Sequence, residues 1–419
     1  AVMIKSRIFL LTVVCLSSWL AVTFILLLNR PDGASHRNGN SQHQLSDRIK
    51  GIDVELRKQA SIVKNLSLRF DGLFQQKGTV QIGILVIACD RPTVDRALTS
   101  LLKYRSDKHK FPIVVSQDCR DEATKQAIQA FGNEISYIEQ PDTSNIPLNP
   151  SEVKFSGYYK IARHYKFALG YMFDKLKFKA VIVTEDDLEI AEDFYNYFEA
   201  TYQLLLEDES LLCVSAWNDN GKINNINKDH SGLLYRSDFF PGLGWMLTAN
   251  LWDELKVKWP RGFWDDWLRL PENRRERSCI RPEVSRTRTF GKKGVSLGQF
   301  FDSHLKYIVL NKESVQFQTM NLNYLSKEKY DLEFLEEVYN SPPVSLQAVL
   351  KNKLTTSPVR LTYNNKKSFV DIARALGLMD DFKSGVPRTA YRGIVTTFTQ
   401  NTRIYVAPPK VWNGYDTSW

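Results

Sequence analysis

The sequence predicts an α/β protein built around a mostly parallel sheet. From residue 81 onward, short apolar segments alternate with segments whose apolar residues recur at helical spacing. The segments at residues 82–89 (IGILVIAC) and 181–184 (VIVT) are almost entirely apolar or β-branched, which is typical of strands covered by helices on both faces. Strands that are separated by helices favour parallel pairing, because each helix returns the chain to the same end of the sheet.

The alternation gives four strands and three helices before residue 190. The strands are predicted at residues 82–89, 112–118, 135–140 and 181–184, and the helices at 93–104, 122–131 and 157–173. Ligands of such sheets bind beyond the C-terminal ends of the strands. Polar residues follow strands at such ends, namely Arg91, Asp118, Glu185, Asp186 and Asp187. We therefore expect them to form one site.

The acidic run Glu185, Asp186 and Asp187 directly follows a strand in VIVTEDD. Like charges at this spacing repel, so water or a cation must stabilise them. Mg²⁺ and Mn²⁺ take oxygen ligands and commonly share them with substrate phosphates. An acidic triplet alone is typical of a solvated loop. Its position at a strand end, together with Arg91 and Asp118, favours a metal or phosphate site.

The first apolar segment, residues 8–28 (IFLLTVVCLSSWLAVTFILLL), has no charged residue and is long enough to span a bilayer. Lys5 and Arg7 precede it, so residues 1–7 are predicted to be a cytoplasmic tail and the rest of the chain to be lumenal. This describes a signal-anchored type II membrane protein. A cleaved signal peptide is the alternative, although the apolar run is long for one and no small-x-small cleavage site follows it.

Residues 29–79 predict a stem. A polar stretch rich in Gly, Asn and Ser is followed by apolar residues at three- and four-residue spacing from Ile49 to Leu73, interrupted at Gln59. The pattern fits a helix that self-associates as a coiled coil, forming a homo-oligomer, and equally a monomeric amphipathic helix. Asn65 begins an N-glycosylation acceptor pattern, Asn-Leu-Ser, which fits a lumenal location.

The five cysteines also fit an oxidising compartment. Cys15 lies in the predicted membrane span, which leaves Cys89, Cys119, Cys213 and Cys279. Four cysteines allow three pairings. We predict Cys89–Cys119 and Cys213–Cys279, because Cys89 and Cys119 both end predicted strands. Buried free thiols are the alternative.

Composition excludes some classes of function. The chain of 419 residues carries a net charge of +9, but its lysines and arginines are scattered and show no repeated basic–aromatic pattern, so we expect no nucleic-acid partner. Residues 80–329 are predicted to be the catalytic domain. Residues 330–419 are predicted to be a smaller mixed α/β domain, with strands at 359–363, 393–398 and 402–407 and a helix at 368–376.

Several longer motifs resemble the N-acetylglucosaminyltransferase I family of the Golgi. The resemblance runs in order from about residue 80 to the C-terminus. It is carried by ILVIACDR (84–91), VSQD (115–118), YYKIARHYKFAL (158–169), EDDLEIAEDF (185–194), SAWNDNG (215–221), YRSDFFPGLGWML (235–247), FWDDWLR (263–269), RPEVSRT (281–287), GVSLGQFF (294–301) and SGVPRTAYRGIV (384–395).

The resemblance implies a GT-A-type nucleotide-sugar transferase fold with a Rossmann-like domain. It implies transfer of GlcNAc from UDP-GlcNAc, with inversion and Mn²⁺, to the 2-hydroxyl of the α1,3-linked mannose on a mannose-terminated N-glycan. This reaction initiates hybrid and complex N-glycans. The implied location is the Golgi membrane.

The same resemblance assigns residue roles. Asp187 resembles the metal ligand and Asp265, in FWDDW, the catalytic base. The positions that resemble donor-binding residues are Arg91, Asp118, His164, Glu185, Asp186 and Ser296. A single displacement requires one carboxylate to take the proton of the attacking hydroxyl. No activated nucleophile is needed.

Most of these assignments have an alternative. Without the family resemblance, a histidine on a helix is more often a core residue, which is the alternative for His164. Asp266 is adjacent to Asp265 and is the alternative base; in a strand the two would point to opposite faces, so that only one could face the sugar. Trp264 and Trp267 would stack on a sugar or simply pack.

Two other functions compete with the one that the family resemblance implies. A sister family adds GlcNAc in β1,2 linkage to O-linked mannose, but the roughly 50 residues between the anchor and the first strand leave no room for its usual extra carbohydrate-binding domain. A non-catalytic glycan-binding protein on the same fold is the third candidate. The presence of both Asp187 and Asp265 argues against such a binder, because a protein that only binds needs no base.

Residues 291–298 (GKKGVSLG) lack the spacing of a P-loop, and we interpret them as a lid that orders over the donor. We expect UDP with Mn²⁺ to slow proteolysis of this segment severalfold, because a segment packed on a ligand opens less often. The measurement is limited proteolysis with mass-spectrometric mapping of the cuts. Equal cleavage with and without UDP and Mn²⁺ would count against a lid.

Overall fold

The chain from residue 80 onward folds around an eight-stranded sheet that includes the apolar segments of the sequence as strands. The structure, a computed structural model, describes residues 80–354 and 358–419 together with Gly51. The predicted membrane anchor, most of the predicted stem and Asn65 lie outside the described residues. Among the described helices, none has both the length and the apolar character needed to cross a membrane.

Fifteen strands are found in the described residues. They are β1 Ile82–Ala88, β2 Ile113–Gln117, β3 Ser136–Glu139, β4 Ala180–Glu185, β5 Leu188–Ile190, β6 Leu211–Ser215, β7 Leu234–Ser237, β8 Trp245–Thr248, β9 Ser278–Pro282, β10 Thr287–Thr289, β11 Val359–Thr362, β12 Phe382–Lys383, β13 Val386–Pro387, β14 Val395–Thr399 and β15 Thr402–Ala407.

The same part of the chain contains ten α-helices between residues 94 and 375. They are α1 Val94–Tyr104, α2 Glu122–Gln129, α3 Ser156–Gly170, α4 Phe194–Glu207, α5 Ala249–Lys256, α6 Trp264–Arg269, α7 Pro271–Arg274, α8 Lys327–Asn340, α9 Leu346–Leu350 and α10 Lys366–Ala375. A single π-helical turn, Tyr171–Lys175, extends α3.

The main sheet has eight strands in the order β3-β2-β1-β4-β8-β6-β9-β7. The half formed by β3, β2, β1 and β4 is entirely parallel, as predicted. In the other half, β8 runs antiparallel to β4 and to β6, and β7 antiparallel to β9. The predicted mixed α/β class with a large, mostly parallel sheet is thus confirmed. The four predicted strands lie within two residues of their observed ends.

Two apolar cores cover the faces of this sheet. One face packs against α1 and α4, and its core includes Ile84, Leu98 and Phe198. The other face packs against α3 and α5, and its core includes Leu85, Tyr165 and Trp252. Adjacent residues of β1 point to opposite faces and are all but one buried, which explains why the segment has no polar alternation.

Residues after 340 add a second, smaller sheet with the order β11-β15-β14. Its core includes Phe369 and Val406 and also takes in Phe239, which follows strand β7 of the main sheet. By backbone contacts, Gly78–Trp419 form one compact unit. The boundary near residue 330, like the other predicted domain limits, stays a prediction.

The cysteines pair as predicted, Cys89 with Cys119 and Cys213 with Cys279. The first pair joins the ends of β1 and β2, with 5.2 Å between the Cα atoms. The second joins β6 to β9 at directly paired positions, with 4.5 Å between the Cα atoms. Both pairs therefore tie strands of the main sheet.

A buried ion pair anchors the loops around β10. The side chains of Arg286 and Asp193 are 0% and 1% exposed and lie 3.0 Å apart. The guanidinium also donates to the carbonyl oxygens of Val284 and Ser231, and Asn311 donates to the carboxylate. Since almost every polar atom here has a partner, the pair satisfies the condition under which a buried charge is tolerated.

We expect Arg286→Met to lower the free energy of unfolding by about 3–5 kcal/mol, because it leaves the Asp193 carboxylate buried without its cation. Urea denaturation followed by tryptophan fluorescence measures the loss. Arg288→Met, two residues further along the chain in β10, is the matched control: its side chain is 41% exposed, and surface pairs contribute only about 0–1 kcal/mol. A loss below 1 kcal/mol in Arg286→Met would contradict the anchoring role.

Candidate active site

The C-terminal ends of β1, β2 and β4 meet at one edge of the sheet. There the structure brings Arg91, Asp118 and the run Glu185, Asp186 and Asp187 together, since β1 pairs directly with both β2 and β4. The backbone N–H of Asp186 donates to the carbonyl of Ile87 in β1, so the acidic run is still held by the sheet.

Asp186 orients this edge. One of its oxygens accepts from Nε of Arg91 at 2.8 Å and the other from the backbone N–H of Cys89 at 3.2 Å. Burial raises the pKa of the Asp186 carboxyl, and the positive charge of Arg91 only partly offsets that effect. Both carboxylate oxygens are therefore in use, which fixes Asp186 as a positioning group between β1 and β4.

Asp187 has unused capacity to bind a ligand. Its Oδ2 lies 3.6 Å from Nη2 of Arg91, whereas its buried Oδ1 has no hydrogen-bond partner. Burial and the charge of Asp186 raise the pKa of Asp187 to about 6, against smaller opposing effects of Arg91 and Thr289. Gly291 lies so close that any side chain there would collide with this carboxylate. A buried carboxylate oxygen without a donor is suited to a cation.

The protein itself supplies few metal ligands at this point. In residues 80–354 and 358–419, no group of three or more acidic, histidine or cysteine side chains converges as a metal cage would. A cation held by Asp187 would therefore take its remaining ligands from substrate phosphates and water, which is the usual arrangement for Mg²⁺. The donor set fits a hard divalent ion.

Glu185 is half-buried beneath this edge. Its Oε1 accepts a hydrogen bond of 2.8 Å from the hydroxyl of Tyr165 in α3. Burial, followed by the charges of Asp187, Asp186 and Asp265, raises the pKa of Glu185 to about 7. The ring of Tyr165 stacks on Trp264, the neighbour of Asp265, so the two predicted parts of the site lie near each other.

Asp118 and His164 lie beside the end of β2. Asp118 is buried and accepts from the backbone N–H of Cys119 at 2.8 Å. Both Cys119 and Arg120 have positive φ, at 69° and 52°, so this turn is strained. His164 is 2% exposed and lies 2.8 Å from the hydroxyl of Ser116. Burial lowers the pKa of His164 to about 4, which keeps the ring neutral. Its role as a donor contact stays a prediction.

The FWDDW motif is helical, so Asp265 and Asp266 do not point to opposite faces as they would in a strand. Phe263, with φ 51°, precedes α6, and both Asp265 and Asp266 lie in its first turn. Nη1 of Arg269 donates to Asp265 at 2.7 Å and to Asp266 at 2.8 Å. Lys383 occupies the second oxygen of Asp266 at 3.0 Å. Within the described part of the chain, no donor contacts Oδ1 of Asp265, which is thus the carboxylate with a free oxygen.

Trp264 packs rather than facing solvent. It is buried, and its ring stacks on Tyr165 with 4.3 Å between centroids and on Trp245 with 5.8 Å. This stacking connects α6 to α3, whose Tyr165 also contacts Glu185. Trp267 is half-buried and borders a cavity of about 410 Å³. The packing alternative therefore holds for Trp264, and Trp267 keeps a surface for a ligand.

Comparison with known proteins identifies the chain. The GNT-I family matches residues 33–419. The chain is also 40% identical, over 364 residues, to the alpha-1,3-mannosyl-glycoprotein 2-beta-N-acetylglucosaminyltransferase of Arabidopsis thaliana, covering 86% of this chain and 81% of that protein. The chain belongs to the GNT-I family. It is therefore a glycosyltransferase, and the non-catalytic alternative loses its support.

Solved structures are more distant from this GNT-I family member. TarS 1–349 of S. aureus in complex with UDP-GlcNAc is 12% identical with a TM-score of 0.35, covering 70% of this chain and 82% of that one. The mannosyltransferase PcManGT of Pyrobaculum calidifontis, in complex with GDP-Man and Mn²⁺, is 14% identical with a TM-score of 0.29, covering 47% and 56%. At such low TM-scores neither structure contributes to the assignment.

The predicted lid, residues 291–298, contacts the acidic edge of the sheet through Arg91. The carbonyl oxygen of Lys293 accepts from Nη2 of Arg91 at 2.6 Å. Val295 packs so closely on Gly157, in the first turn of α3, that a side chain at that glycine would require Val295 to move. Ser296 itself is exposed in the structure. Its donor contact, and closure of the segment, stay predictions.

Three residues of the site, Tyr165, Arg269 and Lys383, were not predicted as site residues from the sequence. The role of Arg269 could have been predicted, because it follows Asp265 by four residues and Asp266 by three, which is the spacing of ion pairs on a helix. The role of Lys383 could not have been predicted, since more than a hundred residues separate it from Asp266.

The raised pKa of Glu185 predicts a pH-dependent effect on stability. Between pH 4.5, its ordinary pKa, and about 7, the folded protein binds this proton more tightly than the unfolded chain does. The ionised group therefore destabilises the fold increasingly as the pH rises through this range. We compare the free energy of unfolding of Glu185→Gln with that of wild type at pH 5 and at pH 8. We expect the difference to shift in favour of the variant by on the order of 1–3 kcal/mol on going from pH 5 to pH 8, since one pKa unit corresponds to about 1.4 kcal/mol.

Urea denaturation of the metal-free proteins at both pH values measures this gain. Glu272→Gln, at an exposed position in α7, is the matched control and should show no pH-dependent difference. A Glu185→Gln variant that lost stability relative to wild type on going from pH 5 to pH 8 would show that the sign is wrong.

Proposed function

We propose that this protein transfers GlcNAc from UDP-GlcNAc, with inversion, in β1,2 linkage to the α1,3-linked mannose of an N-glycan core. Membership of the GNT-I family and the name of the Arabidopsis relative support this reaction. The observation that supports its mechanism is that two carboxylates, one at each part of the site, keep an oxygen without a hydrogen-bond donor. Asp187 has a buried oxygen without a donor, and Asp265 has a free oxygen on α6.

Asp187 would hold the metal, for which we propose Mn²⁺. A divalent ion bound there supplies Lewis-acid stabilisation of the negative charge that develops on the departing UDP. Arg91 adds a fixed positive charge at the same edge, since it contacts both Asp186 and Asp187. The orphaned oxygen of Asp187 is the feature of this chain that supports a metal.

The remaining acids would bind and orient the donor. Asp186 is held by Arg91 and the Cys89 backbone, so it would position the donor nucleotide rather than move protons. Glu185, half-buried and hydrogen-bonded to Tyr165, would lie near the GlcNAc hydroxyls. We assign Asp118, His164 and Ser296 as further donor contacts, following the family motifs. The segment 291–298 would exclude water when it covers the donor.

Asp265 is the proposed general base. In a single displacement, the attacking mannose hydroxyl must lose its proton as it bonds to C1 of the sugar. Asp266 is less suited to accept this proton, because Arg269 and Lys383 engage both of its oxygens and together lower its pKa against the effect of burial. Asp265 shares Arg269 but keeps one oxygen for the acceptor.

We also propose that the protein works in the Golgi lumen as a single-pass type II membrane protein. The apolar segment 8–28 and the basic residues before it support this location. Self-association through the stem and glycosylation of Asn65 belong to the same proposal.

We expect Asp265→Asn to lower kcat by about 10²–10⁴-fold, the usual contribution of a general base, with little change in the KM for UDP-GlcNAc. The full chain in detergent is incubated with UDP-GlcNAc, Mn²⁺ and a five-mannose N-glycan, and mass spectrometry follows the addition of one HexNAc. Asp266→Asn is assayed in parallel, and the variant with the larger loss of kcat identifies the base. Transfer to an O-mannosyl peptide but not to the N-glycan would overturn the proposed acceptor.

A further inference from the structure

A cavity of about 410 Å³ lies next to the proposed base but apart from the acidic edge of the sheet. Two distant parts of the chain form it: the segment around α6 and the turn that follows β12. The residues that matter for its chemistry are Phe263, Asp266, Trp267, Leu270, Lys383 and Ser384. We call it the Trp267 pocket. None of its lining residues lies at the C-terminal end of β1, β2 or β4, so the pocket is separate from the proposed donor site.

The lining suits an uncharged ligand with both an apolar face and hydroxyl groups. Phe263, Trp267 and Leu270 supply apolar surface, while Asp266 and Lys383 supply one carboxylate and one ammonium, 3.0 Å apart. These two charges cancel, so the pocket has no excess positive charge to hold the phosphates of a nucleotide. A few polar groups on a mainly apolar wall are typical of small-molecule sites of this volume.

The pocket is coupled to the proposed base through a shared cation. Nη1 of Arg269 contacts Asp265 at 2.7 Å and Asp266 at 2.8 Å. A ligand that hydrogen-bonds Asp266 therefore lies one residue away from the group that would deprotonate the acceptor. Of the two substrates, the acceptor rather than the nucleotide donor matches both this position and the absence of net charge.

Lys383 is placed by a rigid turn. Ser384 and Gly385, between β12 and β13, both have positive φ, at 49° and 79°, as in the tight turns of hairpins. Gly385 lies against the backbone of Asp416, where a side chain would collide. The turn fixes the backbone of Lys383, and the ion pair with Asp266 holds its ammonium group before any ligand arrives, which lowers the entropy cost of binding.

We propose that the Trp267 pocket binds a mannose residue of the acceptor glycan other than the one that receives GlcNAc, and that Lys383 and Trp267 determine this specificity. The proposal rests on the proposed function in taking a mannose-containing glycan as acceptor. A pyranose would place its apolar face on Trp267 and its hydroxyls against Asp266 and Lys383. The C-terminal part of the chain thereby contributes to the choice of acceptor.

The test compares a large with a small acceptor. Wild type, Lys383→Met and Trp267→Phe are assayed in the full-length protein with a five-mannose N-glycan and with methyl α-mannoside, both with UDP-GlcNAc and Mn²⁺. We expect the ratio of kcat/KM for the glycan to that for the methyl mannoside to fall about tenfold in Lys383→Met. This fall should come from KM for the glycan. Lys410→Met, at an exposed position near the C-terminus, should keep the wild-type ratio.

A binding measurement separates this proposal from the proposed function. Asp265→Asn, with and without Lys383→Met, is titrated with the five-mannose glycan alone by isothermal calorimetry. A Kd about tenfold weaker in the double variant supports the pocket, whether or not wild type transfers GlcNAc. Equal Kd values, or an unchanged acceptor ratio in variants with wild-type Tm, would overturn the proposal. Glycan binding without transfer by wild type would reject the proposed function and keep the pocket.

Discussion

The ion pair between Arg91 and Asp186 is the contact on which the candidate site depends. Three consecutive carboxylates end β4 in a region largely closed to solvent, where their mutual repulsion is strong. Nε of Arg91 donates to Asp186, and Nη2 lies 3.6 Å from Asp187 and also donates to the carbonyl oxygen of Lys293. One guanidinium thus joins the end of β1, the acidic run and the segment 291–298. This network leaves one oxygen of Asp187 without a partner, and that oxygen defines the chemistry of the edge.

Tyr165 connects this edge to the second part of the site. Its hydroxyl donates to Glu185 and its ring stacks on Trp264, the first residue of α6. The proposed metal ligand and the proposed base are therefore attached to the same aromatic core. Arg269 and Lys383 then distribute positive charge unequally over Asp265 and Asp266. Two adjacent residues of the same type acquire different roles because only one of them is left with a free oxygen.

The parallel half of the sheet could be predicted from sequence because three of its four strands, β1, β2 and β4, are local and mainly apolar runs. The other half could not. Strands β6 to β9 are short, and their buried positions include polar and charged residues such as Ser215, Arg236 and Arg281. These side chains are buried because partners from distant segments satisfy them. Arg236, for example, pairs with Asp208 and donates to the carbonyl of Leu325. A hydrophobicity pattern does not contain that information.

The sequence by itself determined the α/β class and the clustering of Arg91, Asp118 and the acidic run, because both follow from apolar runs and from residues at strand ends. It favoured the disulfide partners but left free thiols as the alternative. Motifs long enough to indicate a family supplied the assignments of Asp187 and Asp265. Only the tertiary structure decided which oxygens remain free, since hydrogen-bond partners come from segments far apart in the chain. Lys383 meets Asp266 only when the C-terminal sheet packs against the main one, and no local pattern records that contact.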